Sequence, residues 1–315
     1  MTTMADGDIS SATGQLFGDL WAPYDEQLFR ESVDLFERRL ELAGVGTEFL
    51  KDKRALDAGC GGGRNAIAMA RLGAAEVVGI DIGENGIADA RKRAEGIDNV
   101  TFQVASLADI PFPDAHFDVV WCAGVLMHTA DEMKVLGELA RVLKPGGTIY
   151  FLVYATGGMR WPLIKLLRPL ASAIGQPTLE AAMEAAQSPA NKRRTFLDDL
   201  FVPKFDFFEW NRLKADLHDA GFVDLERWSR KARLDHEHDL QAYYDDLAAL
   251  HVIFVAGRDH DLHPLFGEAA DLTAGSLSAI QWFIDQVAGG VMSEDDAMSR
   301  VIGQGHHRLL ARRAG

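Results

Sequence analysis

From about residue 54 to residue 154, short apolar runs alternate with amphipathic stretches. Runs at 54–58, 76–80, 100–104, 117–122 and 148–153 are nearly continuous in Val, Ile, Leu, Phe and Ala. Between them, 63–72, 86–95 and 131–143 repeat apolar residues at helical spacing, the last stopped by Pro145-Gly146-Gly147. Strands apolar on both faces, alternating with helices, predict a parallel sheet covered on each side. In such sheets ligands bind beyond the carboxyl ends of the strands, near the point where strand order reverses.

The flanks differ. An apolar face made by Leu28, Val33, Phe36 and Leu40 predicts a helix over 24–43 that could lie across a bound ligand. After Tyr154 the rhythm breaks, and an alanine-rich, helical stretch runs to about Asp206. The alternation then resumes, with a helix over 211–220, a sixth strand at 222–228 and a seventh at 251–256. Stretches 264–287, 293–302 and 308–313 read as a helical tail. Its apolar residues, among them Leu277, Ile280, Trp282 and Phe283, must pack on the core or on a second copy in a homo-oligomer. The segments expected are an N-terminal helical lid (1–50), a core (51–258) with a helical insert (156–206), and a helical C-terminal extension (259–315).

Candidate chemistry concentrates after the first strand, in Asp57-Ala58-Gly59-Cys60-Gly61-Gly62-Gly63. Glycines between a strand and a helix let backbone N–H groups approach a ligand closely. A dinucleotide fingerprint needs a third glycine where this chain has Arg64, and a P-loop needs a Gly-Lys-Ser/Thr that is absent.

This segment resembles the first motif of class I S-adenosylmethionine-dependent methyltransferases. Gly79-Ile80-Asp81-Ile82 resembles the second motif, whose acid binds both ribose hydroxyls. The stretches 108–112 and 117–120 resemble the region around strand four, and 141–147 the turn before strand five. The agreement covers about 56–154 and is nearest to the branch containing ubiquinone-type and sugar O-methyltransferases. It implies an α/β, Rossmann-like, seven-stranded, mostly parallel sheet with S-adenosyl-L-methionine as cofactor. It also implies cofactor contacts from Asp57, Ala58, Gly59 and Gly61, from Asp81 and Ile82, and from Ala123. Where relatives often carry an acid for the adenine, this chain has Ser106, followed by Leu107.

Methyl transfer is an in-line displacement on an activated methyl, so the protein mainly positions the partners and excludes water. A hydroxyl acceptor also needs a general base. His128, at the end of strand four, stands where relatives that methylate hydroxyls often carry histidine, and imidazole titrates near neutrality. The expected reaction is O-methylation of a small molecule with His128 as base. N-, C- or S-methylation, or a non-catalytic cofactor-binding module, stay open. Tyr24, Tyr154 and Trp161 are candidate acceptor contacts, with Trp21 and Arg160 beside them. Cys60 and Cys122 read as small fillers.

A net charge of −15 argues against nucleic acid or an anionic membrane as the main partner. The basic cluster 192–194 reads as a solvated loop. No run approaches the roughly 18 apolar residues of a membrane span, and no leader pattern opens the chain, so a cytoplasmic protein is expected. The His236/His238/Asp239 and Asp259/His260/Asp261/His263 groups fall in polar connections, and no metal site is expected there.

Overall fold

The computed structural model describes Ile9 and residues 12–16, 26–228 and 240–315. It divides into two compact units. The first comprises Met1–Ala155, Pro203–Ala232 and His306–Gly315; the second comprises Thr156–Val202 and Arg233–Gly305.

The first unit is built on a sheet of seven strands among the described residues: β1 (Arg54–Ala58), β2 (Glu76–Asp81), β3 (Val100–Val104), β4 (Phe117–Ala123), β5 (Leu143–Tyr154), β6 (Phe222–Arg227) and β7 (His306–Arg313). Their order is β3-β2-β1-β4-β5-β7-β6. The first five pair in parallel, and β7 runs antiparallel between β5 and β6. Strand order reverses between β1 and β4, so the loops leaving those strands diverge and open a crevice at their carboxyl ends. Helices of this unit include α1 (Glu26–Ala43), α2 (Arg64–Arg71), α3 (Glu84–Arg93), α4 (Glu132–Val142) and, after the return at Pro203, α8 (Trp210–Asp219). An aromatic row joins α1 to the sheet. Phe36 lies 4.5 Å from Trp121, which stacks on Tyr150 at 3.7 Å, with Trp228 beyond at 4.9 Å.

The second unit is helical: α5 (Arg160–Ile174), α6 (Gln176–Ala185), α7 (Ala190–Phe201), α9 (Leu240–Asp259), α10 (Leu265–Ala288) and α11 (Glu294–Val301). Gly257 lets α9 and α10 close on each other, because a Cβ there would run into the ring of Phe266. Arg160 and Lys192 both reach the buried Asp246, and Arg160 also holds Asp199.

Three expectations are corrected. The strand expected at 251–256 is part of α9. An apolar run such as Leu247–Ala256 cannot be assigned by periodicity alone, and helical residues on both sides of it decide the outcome. The stretch 308–313, expected as helix, is most of β7. Its pattern does not alternate, because a central strand buries both faces, including His307 and Arg308. The boundary expected between a core ending at 258 and an extension starting at 259 falls inside the helical unit, and the last strand belongs to the sheet unit.

Candidate active site

β1 stops where glycine first allows a turn no other residue makes cheaply. Gly59, Gly61 and Gly63 have φ of +80°, +50° and +83°, and Gly63 is the residue from which α2 starts. At Gly59 sterics add to the dihedral requirement, since a Cβ would strike the side chain of Val125 in the loop after β4. The two loops at the crevice therefore close on each other only with glycine at this position.

Two acids brace the loop. Asp57 is 1 % exposed and accepts the N–H of Ala66 in the first turn of α2 at 2.9 Å through Oδ2, while Oδ1 is buried with no hydrogen-bond partner. Burial pushes its carboxyl up to about 7, against the pull of the Ala66 amide and of Arg64. Asp81, at the end of β2, accepts the Gly61 amide on Oδ2 at 2.9 Å and the Gly83 amide on Oδ1 at 2.8 Å. Burial raises its carboxyl as well, and the Gly83, Gly61 and Ile82 amides oppose that rise.

A cavity of about 940 Å³ opens over this loop. That is near the top of the range of roughly 300–1,000 Å³ for small-molecule sites. Its floor is the glycine loop, with Gly59 and Gly61, and the β2 end, with Asp81 and Ile82. Ser106 and Leu107 line one side, the Ser106 hydroxyl accepting from the Ala108 amide at 3.2 Å. Ala123 and His128 line another, with Thr129 to Asp131. Thr13, Gly14 and Gln15 complete the wall with Phe29 and Ser32 of α1. Gly14 sits on Ile82 and Gly83, and the Arg93 guanidinium holds Phe29 at 4.3 Å.

His128 is 4 % exposed, in the turn after β4. Its Nδ1 lies 2.8 Å from the backbone carbonyl of Lys204. Tyr154 meets the ring edge-on at 5.6 Å, with Phe205 at 6.1 Å. A carbonyl can only accept, so Nδ1 carries a proton, and in the neutral ring the lone pair is on Nε2.

Of the residues singled out from sequence, Gly59, Gly61, Asp81, Ile82, Ser106, Leu107, Ala123 and His128 converge on this cavity. Asp57 and Ala58 lie beneath it, buried in β1, and do not line it. Tyr154 packs against His128 rather than facing the cavity. Trp161 belongs to the helical unit, where it is buried beside Arg160 on α5. Trp21 and Tyr24 lie outside the described residues, as does the His236/His238/Asp239 group. In the 259–263 group, Nδ1 of His263 accepts the Leu265 amide at 3.2 Å. No three His, Cys, Asp or Glu side chains gather as metal ligands among the described residues. Burial pushes the Cys122 thiol up to about 12 and raises that of Cys60, so both stay protonated at neutral pH. No helix among the described residues is long and apolar enough to cross a membrane.

Residues missed from sequence are Thr13 to Gln15, Phe29, Ser32 and the 204–208 loop. Glycine and hydroxyl residues between polar neighbours gave no signal in the first group. The basic-aromatic string Lys204-Phe205-Asp206-Phe207-Phe208 is conspicuous in composition but has no period that would assign it a face.

Residues 56–151 match the family model described as a methyltransferase domain. The 27-O-demethylrifamycin SV methyltransferase of Amycolatopsis mediterranei is 41 % identical over 113 residues, covering 34 % of this chain and 42 % of that one. A ubiquinone biosynthesis O-methyltransferase of Neisseria meningitidis is 37 % identical over 126 residues, covering 39 % and 52 %. The chain thus spans about half the length of these curated relatives. Among solved structures, the cyclase SpnF aligns over 100 % of this chain and 98 % of its own, with TM-score 0.54 and 19 % identity, a likeness of fold. The motif order, the sheet order and the family match agree on one segment: residues 56–151 form a methyltransferase domain.

Proposed function

We propose that the cavity binds S-adenosyl-L-methionine together with a small-molecule acceptor, and that the protein methylates a hydroxyl of that acceptor with His128 as general base. The observation that carries this is the convergence of the glycine loop, Asp81 and His128 on one cavity of about 940 Å³.

The residues fit the cofactor. Asp81 spends one lone pair of each oxygen on a backbone amide. A carboxylate offers about four acceptor sites, which leaves room for a pair of hydroxyls. Gly59 and Gly61 line the cavity with no side chain to cover their backbone. Gly59, Gly61 and Ala123 would hold the amino-acid end, Asp81 and Ile82 the ribose, and Ser106 and Leu107 the adenine. When bound, the cofactor supplies an activated sulfonium methyl. Asp57, below the loop, fixes the start of α2 and so the direction of the loop amides.

The chain's own part in the reaction is to exclude water and to take a proton. Thr13 to Gln15, with Phe29 and Ser32 of α1, wall the cavity on the N-terminal side. Nε2 of His128 would accept the acceptor hydroxyl proton while Nδ1–H keeps its bond to the Lys204 carbonyl. An acceptor that is already a good nucleophile would need only the positioning.

Calorimetry with S-adenosylmethionine, followed by turnover on a panel of phenols, catechols and sugar hydroxyls, tests the reading. Micromolar or tighter cofactor binding with methyl transfer to a hydroxyl is the expected result. Absence of cofactor binding would sink it.

A further inference from the structure

Lys204 meets the His128 turn with both its backbone and its side chain. Its carbonyl takes Nδ1 of His128 at 2.8 Å. Its ammonium donates to the carbonyl of Thr129 at 2.6 Å and to that of Ala130 at 3.3 Å. The same nitrogen is paired with Asp206 at 2.9 Å and with Glu132 at 3.6 Å. The Asp206 amide in turn donates to the carbonyl of Met127 at 3.1 Å. Arg212 of α8 shares Glu132 at 3.0 Å. Two loops 76 positions apart are thus stapled at Met127, His128, Thr129 and Ala130, immediately around the candidate base.

The arrangement exceeds what a surface ion pair supplies. An exposed pair contributes little and tolerates many geometries. Here the ammonium satisfies two backbone carbonyls whose turn would otherwise present them to solvent. It is 22 % exposed and Glu132 only 12 %. Because the carbonyl that fixes the imidazole belongs to the lysine itself, anchoring the side chain also anchors the tautomer-setting group. Removing the side chain would leave that carbonyl in the chain but free its position.

We infer that Lys204 is a positioning residue: its ammonium fixes the 204–206 loop so that its own carbonyl holds His128 as the Nδ1–H tautomer with Nε2 toward the cavity, an inference that rests on the base role of His128. Misplacing a catalytic group by about 1 Å can cost on the order of 10²-fold in rate. The lysine therefore affects turnover without touching either ligand.

The test uses the full chain labelled with 15N-histidine. In long-range proton–nitrogen spectra, wild-type His128 should show a protonated Nδ1 and an unprotonated Nε2. Lys204→Met should give a mixture of tautomers, and Lys204→Arg should restore the wild-type pattern. With catechol as acceptor probe, Lys204→Met should lower kcat by roughly 10- to 100-fold. The affinity for S-adenosylhomocysteine and the acceptor KM should stay within about twofold, because no ligand contact is lost. An Nε2–H tautomer in the wild type, or a single unchanged tautomer in Lys204→Met, would overturn the inference whatever the activity. A rate kept in Lys204→Met but lost in His128→Ala would remove the positioning role and leave the base reading standing. A rate kept in His128→Ala would remove the base reading itself. If Lys204→Met does not fold, Asp206→Asn loosens the same ammonium, and the wild-type spectrum alone can still refute the tautomer.

Discussion

At one end of the cavity the polar groups are amides of a glycine loop and a carboxylate, Asp81, contributed by adjacent parallel strands. At the other, one imidazole is held by a carbonyl from a loop 76 positions later in the chain. The first end is made by local sequence. Glycines at +φ, an acid at the end of β2 and the parallel pairing of β1 with β2 suffice to build it. The second end is assembled by tertiary structure, because His128 is oriented only when the 203–208 segment returns to β5, where the Phe208 amide donates to the Tyr154 carbonyl at 2.9 Å. A locally built site tolerates change elsewhere in the chain. An assembled one does not.

The contrast is broken most directly at the assembled end. His128→Ala removes the group proposed to take the acceptor proton, so turnover on a hydroxyl should fall by roughly 10²- to 10⁴-fold. Cofactor affinity should hold, since the glycine loop and Asp81 are untouched. A drop in affinity equal to the drop in rate would mean that the two ends are one cooperative structure.

Asp81→Ala gives the converse result at the local end. It deletes the acceptor of the Gly61 and Gly83 amides and the proposed partner of the ribose. Losing hydrogen bonds to a charged group costs about 1.5–3 kcal/mol, so cofactor dissociation constants measured by calorimetry should rise by roughly 10- to 100-fold. The chemical step at saturating cofactor should change little.

Gly59→Ala tests whether the two ends touch. The substitution forces a side chain into positive φ, at about 1–2 kcal/mol, and into Val125 of the loop that leads to His128. Thermal unfolding should show lowered stability, and both affinity and turnover should weaken together. A change confined to cofactor affinity would show that the displaced Val125 does not reach the histidine turn.

How much of this was legible follows the same division. The strand-loop-helix unit from Arg54 to Arg71, Asp81 and the order of elements through Tyr154 are written in local periodicity and glycine spacing. The partner of His128 is not, since nothing around Lys204 has a period or a motif and its role exists only through contacts distant in sequence. The same limit explains the two misread segments. Leu247–Ala256 is apolar but for His251 and lies within α9 of a helical unit, where Leu247, Leu250, Ile253 and Phe254 are buried. His306–Arg313 is basic in composition, yet it lies between β5 and β6, where Leu309 and Ala311 fill one face and His307 takes its hydrogen bond to the Phe208 carbonyl at 3.0 Å. Position in the sheet, not intrinsic preference, makes it a strand.

The smallest effect separates structure from ligand at the local end. Asp57 is raised by burial from 3.8 to about 7 in the folded protein, with one oxygen bonded to Ala66 and the other unpaired. Between those values the folded state holds a proton that the unfolded chain has released. Its contribution to stability is therefore complete below about 3.8 and is lost as pH rises through about 7. Asp57→Asn keeps an acceptor for the Ala66 amide and removes the titration. Denaturant unfolding of both proteins without cofactor, from pH 4.5 to 8, should show the wild type losing stability relative to the variant by at most about 1.4 kcal/mol per pH unit, levelling off above neutrality. Parallel curves would mean that Asp57 is ionised across the range and that a neighbouring group, Arg64 first, compensates its burial. Repeating the series with saturating S-adenosylmethionine sharpens the result. A cation seated above the loop should draw the carboxyl back toward ionisation and flatten the difference, which neutral S-adenosylhomocysteine should do less.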